Sequence, residues 1–427
     1  MKKTFFILIA FAVAVCGIPP SAHSGTVDVI TINDPITPVV AEYIIKNVSQ
    51  SEREQAACII IQMDTPGGLD LAMRDIIKKI MSSEIPVVVY VSPSGARAAS
   101  AGALITLSAH IAAMAPGTNI GAAHPVNLGG GDMGKEMAEK VENDAAAYVE
   151  SIAVKKKRNK EWAIKAVRES VSISEEEALK SNVIDIISPN LRSLVNDING
   201  RKVEMEDGVI TLQTDGLVIN HKKMGFRENV LKALANPNIA YILFLIGLAG
   251  LYFELSNPGA IFPGVLGGLS LILAFYSMQT LSANYAGVLL ILLGAVLFII
   301  EIKVVSYGLL SVGGIIAITL GSLLLFQSPV PYLRVSLSVM IPSIILISLF
   351  FVAVVGLVVT SHKRKPSTGM EGLVSMVGEA KSDIAGKGKV FVHGEYWNAK
   401  SDVPIPKGSE IRVKRVDGMV LVVDKID

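Results

Sequence analysis

Two short segments carry the residue types from which a covalent catalyst can be built: Asp64-Thr65-Pro66-Gly67-Gly68 and Ala98-Ala99-Ser100-Ala101-Gly102. Apolar, β-branched runs lead into them, Cys58 to Met63 and Val87 to Ser92, and the second segment opens a further apolar stretch that reads as a helix over 100–113. Ser100 therefore falls near that helix's first turn, where free backbone N–H groups and the positive dipole end favour developing negative charge. Gly68, with no side chain in the way, lets another bare N–H come close. The N–H groups of Gly68 and Ala101 would form an oxyanion hole for a tetrahedral intermediate, each donor contributing roughly 2.7–4 kcal/mol. The competing reading is that residues 98–102 are small only for tight helix packing, and spacing alone does not decide between the two.

Other motifs carry less. Gly129-Gly130-Gly131-Asp132-Met133-Gly134-Lys135 fits the Gly-x4-Gly-Lys half of a phosphate loop. Glu136, however, stands where Ser or Thr must bind the metal, and no strand leads in, so a mobile Gly-rich loop admitting substrate is the better reading. Asp64, ahead of Pro-Gly-Gly, is expected to shape its turn through backbone hydrogen bonds rather than serve as an acid. No cluster of His, Asp and Glu has metal-ligand spacing. The two cysteines, Cys16 and Cys58, exclude a disulfide scaffold and any Cys-rich metal site, and Cys58 inside Cys58-Ile59-Ile60-Ile61 reads as a buried structural thiol.

The elements that must position Ser100 belong to an α/β domain. Short apolar runs at 27–32, 57–63, 86–92 and 183–187 alternate with helical stretches at 38–50, 69–82, 100–113, 133–155 and 160–168. Near-continuous apolar strands between helices imply βαβ crossovers and a sheet covered on both faces. Residues 198–236 are polar and basic and read as a short β segment followed by a linker. Ahead of the domain, Lys2-Lys3, an apolar run from Phe5 to Val15 and small Ala22 and Ser24 have the layout of a secretory signal over 1–24, cleaved before Gly25 or retained as an anchor.

Only 18% of the 427 residues are charged, below the roughly 25% of soluble proteins. The deficit is local: residues 239–360 hold four charges, Glu254, Glu301, Lys303 and Arg334. Apolar stretches at 239–256, 259–281, 285–302, 304–326 and 336–360 suggest about five transmembrane helices. The first four read as a duplicated pair, with Glu254 followed by Gly267-Gly268 and Glu301 followed by Gly313-Gly314; both glutamates are expected at the membrane interface. A secreted domain followed by five spans leaves the C-terminus in the cytoplasm, in agreement with His362-Lys363-Arg364-Lys365, although the basic stretch before the first span argues the other way. Residues 366–427 regain charge and alternate in a β pattern, with Asp417-Gly418 as a hairpin turn, which suits a small all-β barrel of the OB type. That barrel has no evident aromatic stacking stripe, and the net charge of +1 disfavours nucleic-acid binding.

The stretches Met63 to Gly68, Ala98 to Gly102 and Ala115-Pro116-Gly117-Thr118-Asn119-Ile120-Gly121-Ala122, together with the whole layout, resemble the ClpP-class membrane serine peptidases of the long NfeD type. These are related in fold to Clp peptidase, signal peptide peptidase A and the crotonase superfamily. The resemblance implies a multidomain chain: a signal at 1–24, a ClpP/crotonase-like α/β domain at 25–220, a linker at 221–238, an α-helical transmembrane domain at 239–360 and an OB-fold domain at 366–427. It implies Ser100 as nucleophile and a lysine on the following helix, Lys140, as base. A lysine acts so only if burial brings its pKa towards neutrality. Met137, Val141, Ala145 and Tyr148 lie on or beside the same helical face, while the Asp144 carboxylate four residues on would work against it. His124 stands close to where Clp peptidase places its triad histidine, but Ser170 occupies the position of the triad carboxylate, so His124 reads as a substrate-groove residue or an alternative base.

The function implied is a membrane-anchored serine endopeptidase that needs no cofactor and cleaves apolar segments of membrane-associated proteins. A stomatin or flotillin-type protein and membrane lipid would be its partners, and its peptidase domain would dimerise. The alternative is a non-proteolytic scaffold that organises such a partner. Acyl-CoA chemistry on a crotonase-type fold is disfavoured because no basic pocket for a nucleotide is evident.

Overall fold

A computed structural model describes residues 25–126, 134–256, 259, 261–281, 283–304, 306, 308–326, 328, 331–363 and 370–426. The expected signal at 1–24 and most of the Gly-rich stretch at 129–135 lie outside them. The chain falls into two compact units, residues 1–292 with 317–342, and residues 293–316 with 343–427.

In the first unit the order is β1 (Val27–Ile32), α1 (Pro38–Arg53), β2 (Cys58–Met63), α2 (Asp70–Met81), β3 (Val87–Val91), β4 (Arg97–Ala99), α3 (Ala101–Ser108), β5 (Ile111–Met114), β6 (Asn119–Gly121) and α4 (Lys135–Lys155). There follow α5 (Lys160–Arg168), β7 (Ser172–Ser174), α6 (Glu175–Lys180), β8 (Ile186–Ile187), α7 (Leu191–Asp197), β9 (Lys202–Met205), β10 (Gly208–Thr211), β11 (Ile219–His221) and α8 (Phe226–Leu234). The main sheet is parallel throughout, in the order β11-β1-β2-β3-β5-β8. Its apolar strands divide by period two between two cores: Ile59, Ile61 and Met63 pack with α1 to α3, whereas Cys58 and Ile60 pack with Leu194, Ile198 and Val203. Cys58 is fully buried, as its run suggests, and burial together with Asp28 pushes its thiol up to about 12. A second small sheet, β4-β6-β7, carries the chain over the carboxyl ends of these strands.

Two expectations are corrected here. The helix read over 100–113 ends at Ser108, and Ile111–Met114 is a strand between β3 and β8. The cause lies about fifty residues on: buried Arg158 donates to the Leu107 and Ala109 carbonyls, stopping the helix, and pairs with Asp185 at 2.8 Å. The stretch 198–236 is likewise folded rather than a linker. β11 is the sheet's parallel edge, and Lys222 behind it meets the wholly buried Asp28 of β1 at 2.9 Å. A buried carboxylate must find a counter-charge, and this one draws the basic stretch onto the sheet.

Among the described residues the apolar region forms five helices, α9 (Pro237–Ser256), α10 (Ile261–Leu281), α11 (Tyr285–Lys303), α12 (Leu309–Leu325) and α13 (Leu337–Lys363). Three segments, Pro237–Ser256, Ile261–Gln279 and Leu337–Val354, are long and apolar enough to cross a membrane; two shorter apolar segments are Tyr285–Glu301 and Leu309–Leu325. In the first unit Gly267 packs against the backbone of Gly247 and Gly250. In the second unit Gly314 packs on Gly294, the Gly247–Gly267 pair displaced by 47 positions. One glycine of each expected pair makes the close approach, while Gly268 and Gly313 do not. Glu301 is buried and accepts from the N–H groups of Gly308 and Ser311 and the hydroxyl of Ser306, capping the start of α12.

The second unit ends in a closed barrel of β12 (Val377–Ala380), β13 (Gly388–Val392), β14 (Glu395–Lys400), β15 (Glu410–Asp417) and β16 (Val420–Lys425), in the order β12-β13-β14-β16-β15. β14 and β16 run parallel and every other neighbouring pair antiparallel. Gly418, with φ 60°, turns the β15–β16 hairpin, and Val390, Val392, Ile411, Val413, Leu421 and Val423 fill the interior.

Candidate active site

Ser100 sits at the junction of β4 and α3 with φ 51° and ψ −116°, a conformation that a residue with a Cβ rarely adopts. It persists because both sides of the turn are pinned. Ser100 N–H donates to the Gly121 carbonyl at 2.9 Å, and the Ser100 carbonyl accepts from Ala103 N–H at 2.9 Å. The Asp64–Gly68 segment is zipped alongside: Thr65 N–H donates to the Arg97 carbonyl and Ala99 N–H to the Thr65 carbonyl. Asp64 Oδ1 accepts from Arg97 N–H at 3.0 Å, so it ties its turn to the neighbouring segment instead of bonding within the turn as the sequence suggests.

The glycines in both segments are dictated by contact. A Cβ on Gly67, which has φ 113°, would lie 2.7 Å from the Ser100 Cβ, and one on Gly102 would lie 2.5 Å from the Thr65 methyl. A Cβ on Gly68 would collide with the Ile36 carbonyl at 2.1 Å. The neighbouring donors are engaged, Leu69 N–H with the Ile36 carbonyl and Ser100 N–H with that of Gly121. The N–H groups of Gly68 and Ala101 make no such loop or cap bond among the described residues.

Ser100, Gly68, Ala101, His124 and Lys140 all line one cleft of about 610 Å³. Ser100 and Ala101 are neighbours in the sequence, whereas Gly68, His124 and Lys140 come from three other segments, and the fold brings all five together. Apolar side chains, among them Met73, Leu104, Val126, Met137 and Val141, supply much of the wall. Lys140 is exposed, and among the described residues it makes no hydrogen bond or ion pair. Its apolar setting is thus less complete than the helical spacing suggests: the first turns of α4 border the open cleft, and full burial of that helix begins at Ala146. Asp144 is diverted. Its carboxylate meets Arg74 at 2.6 Å, and the same guanidinium binds Asp70 at 2.8 Å and lies 4.2 Å from the Tyr148 ring centroid. Burial works against the Arg74 charge, but the two carboxylates outweigh it and hold the guanidinium above its ordinary value.

His124 is bound through Nδ1 to the Val167 carbonyl at 3.0 Å. A carbonyl only accepts, so Nδ1 carries the proton, and the orienting carboxylate of a triad is replaced by backbone. Ser170, where that acid would stand, is exposed at φ 55°.

Two cleft residues have no motif in the sequence. Arg74 is signalled only by the Asp70–Arg74 spacing on a helix face. Tyr332 enters from between α12 and α13, more than two hundred positions beyond Ser100, and no local pattern marks it.

Three family models match the chain: the NfeD1b N-terminal domain over 26–215, the NfeD integral membrane domain over 238–358, and the NfeD-like C-terminal, partner-binding domain over 370–425. The chain is 33% identical to Membrane-bound protease PH1510 of Pyrococcus horikoshii, across 98% of this chain and 97% of that one. It is 30% identical to membrane protein NfeD1b of Bacillus subtilis, across 95% and 94%. Among solved structures it is similar to the N-terminal part of a membrane-bound stomatin-specific protease, a lysine-to-alanine mutant in complex with a substrate peptide. That likeness has 32% identity, covers 49% of this chain and 97% of the other, and gives a TM-score of 0.45. The C-terminal domain of a stomatin operon partner protein from Pyrococcus horikoshii is 32% identical, with coverage of 14% and 97% and a TM-score of 0.14.

Proposed function

The chain belongs to the NfeD family, and on that premise we propose that it is a membrane-anchored serine endopeptidase with Ser100 as nucleophile and Lys140 as general base. The observation that carries this reading is the strained strand-to-helix turn at Ser100, which opens into the cleft that Lys140, Gly68 and Ala101 also line. Neutral Lys140 Nζ takes the Ser100 hydroxyl proton as Oγ attacks the scissile carbonyl. The Gly68 and Ala101 N–H groups stabilise the oxyanion, and Lys140 returns the proton to the leaving amine as the C–N bond breaks. A water activated by Lys140 then hydrolyses the ester and frees Ser100. A polypeptide lying in the cleft covers Lys140 and supplies the desolvation that the open cleft lacks. His124, fixed to backbone, serves as a wall of the groove.

The apolar lining suits apolar segments, and the similarity to a membrane-bound protease extends over nearly the whole chain. A stomatin-type protein is accordingly the proposed substrate or partner, membrane lipid the surroundings, and a dimer of the peptidase domain the assembly. We read the N-terminal domain as ClpP/crotonase-like and the barrel as an OB fold, the latter from its strand order and its β14–β16 parallel pair. The peptidase domain is proposed to be extracytoplasmic and the barrel cytoplasmic. A scaffold role is the second reading, favoured by the match of 370–425 to a partner-binding domain.

Cleavage of an apolar peptide by the full chain in detergent separates the two. Ser100→Ala and Lys140→Ala should each reduce the rate by about 10³-fold or more, while His124→Ala should retain most of it. Equal cleavage by Ser100→Ala and the parent chain would favour the scaffold. Activity lost in His124→Ala but kept in Lys140→Ala would reassign the base.

A further inference from the structure

The cleft that holds Ser100 is completed by a residue from the apolar helical region. Tyr332 lines it together with Ser100, Lys140 and Pro125. The residue belongs to a single turn, Pro331–Leu333, between α12 and α13. That turn is moored where the chain leaves the catalytic domain: Ser336 N–H donates to Asn238 Oδ1 at 2.8 Å, and Asn238 N–H is held by Asn236 Oδ1 at 2.9 Å, at the start of α9. Val335 beside it is buried. Tyr332 is half-buried, and burial raises its phenol above its ordinary value although nearby Arg97 pulls the other way. Its hydroxyl makes no hydrogen bond among the described residues, and the ring is the larger part of what it brings to the cleft.

The helices permit this return. α9 with α10 and α11 with α12 follow one another as two hairpins, and a helical hairpin that crosses a bilayer begins and ends on one side of it. Whether one or both cross, the segment after α12 comes back to the side of the catalytic domain.

We propose that Tyr332 is a specificity-determining residue, its ring forming a wall of the cleft against which an apolar side chain of the bound polypeptide packs. The inference rests on reading the cleft as a peptidase site. Its consequence is that the α/β domain and the helical region together shape one substrate groove.

The test uses the full chain in lipid nanodiscs, with Ser100→Ala throughout to prevent turnover. Binding of a fluorescent apolar peptide and of a polar peptide of equal length is titrated to saturation. Adding Tyr332→Ala should weaken the apolar peptide roughly 3- to 10-fold, the range for losing one aromatic contact, with little change for the polar one. Tyr332→Phe should restore the parent affinity within about twofold, because the ring and not the hydroxyl makes the contact. Apolar-peptide affinity within twofold of the parent in Tyr332→Ala, or no saturable binding to the parent, overturns the proposal. The peptidase reading is judged separately by whether Ser100→Ala removes cleavage from the otherwise unaltered chain, and the binding comparison stands whichever way that falls.

Discussion

Ser100 holds a backbone conformation that costs about 1–3 kcal/mol, and its neighbours tolerate this because Gly67 and Gly102 leave room for the turn. Replacing the nucleophile separates strain from chemistry. Ser100→Ala keeps the Cβ and hence the strain, whereas Ser100→Gly relieves it. Chemical denaturation should show Ser100→Gly more stable than Ser100→Ala by about 1 kcal/mol, with both inactive. Arg74 offers a second residue-scale test. It holds the Asp144 carboxylate, and Arg74→Met would free that charge beside Lys140. A free carboxylate favours the protonated amine, so the rising limb of the pH–rate profile should move to higher pH. An unmoved limb would mean that Asp144 and Lys140 do not sense one another. Ser100, Gly68 and Ala101 were legible because a helix start and a glycine turn leave a local signature. Arg74 and Tyr332 were not, since their places in the cleft are set by helix packing and chain return.

At the scale of elements, β1 and β11 are joined by the Asp28–Lys222 pair. Burial tends to raise the Asp28 carboxyl, but hydrogen bonds from Lys222, Ser51 and Asn220 more than offset it and hold the group below its ordinary 3.8. With the folded value depressed, the stabilisation is present above the unfolded value near 3.8 and is lost as pH falls through the folded one. Stability should therefore decline below about pH 4, and in Asp28→Asn part of that acid-side slope should vanish when unfolding is followed against pH. Lys222→Met, which strands the buried carboxylate, should cost about 3–5 kcal/mol near neutral pH. The same scale shows where sequence reading stops. Strands β1 to β3 were legible from their β-branched runs, but the end of α3 was not: an apolar stretch fits a buried helix or a buried strand alike, and the deciding group is Arg158. The basic stretch around Lys222 looked like a linker for the related reason that its partner, Asp28, lies nearly two hundred positions earlier.

For the whole molecule, composition alone separated an apolar segment from charged flanks, because a bilayer and water select different residues. The helix count is less transparent, as α11 and α12 approach the lower limit of length. The sidedness we propose does not depend on that pair: three crossings and five both put the barrel opposite the catalytic domain. Single cysteines test it. In intact spheroplasts a membrane-impermeant maleimide should label Asp215→Cys, and should label Asp402→Cys only after permeabilisation. Cys58, buried with its thiol pushed up to about 12, should stay silent. Labelling of both sites without permeabilisation would refute an odd number of crossings.

The Gly247–Gly267 contact and its echo at Gly294–Gly314 bear on how such a chain could lengthen. A helical hairpin copied in tandem adds a complete out-and-back excursion, so neither flanking domain is turned to the wrong side by the event. Each new copy also brings its own glycine seam and its own acidic residue, Glu254 or Glu301, and needs no ready-made partner at the moment it arises. The membrane part is in this sense modular: a copy can be gained or lost as a unit while the ends of the chain keep their compartments.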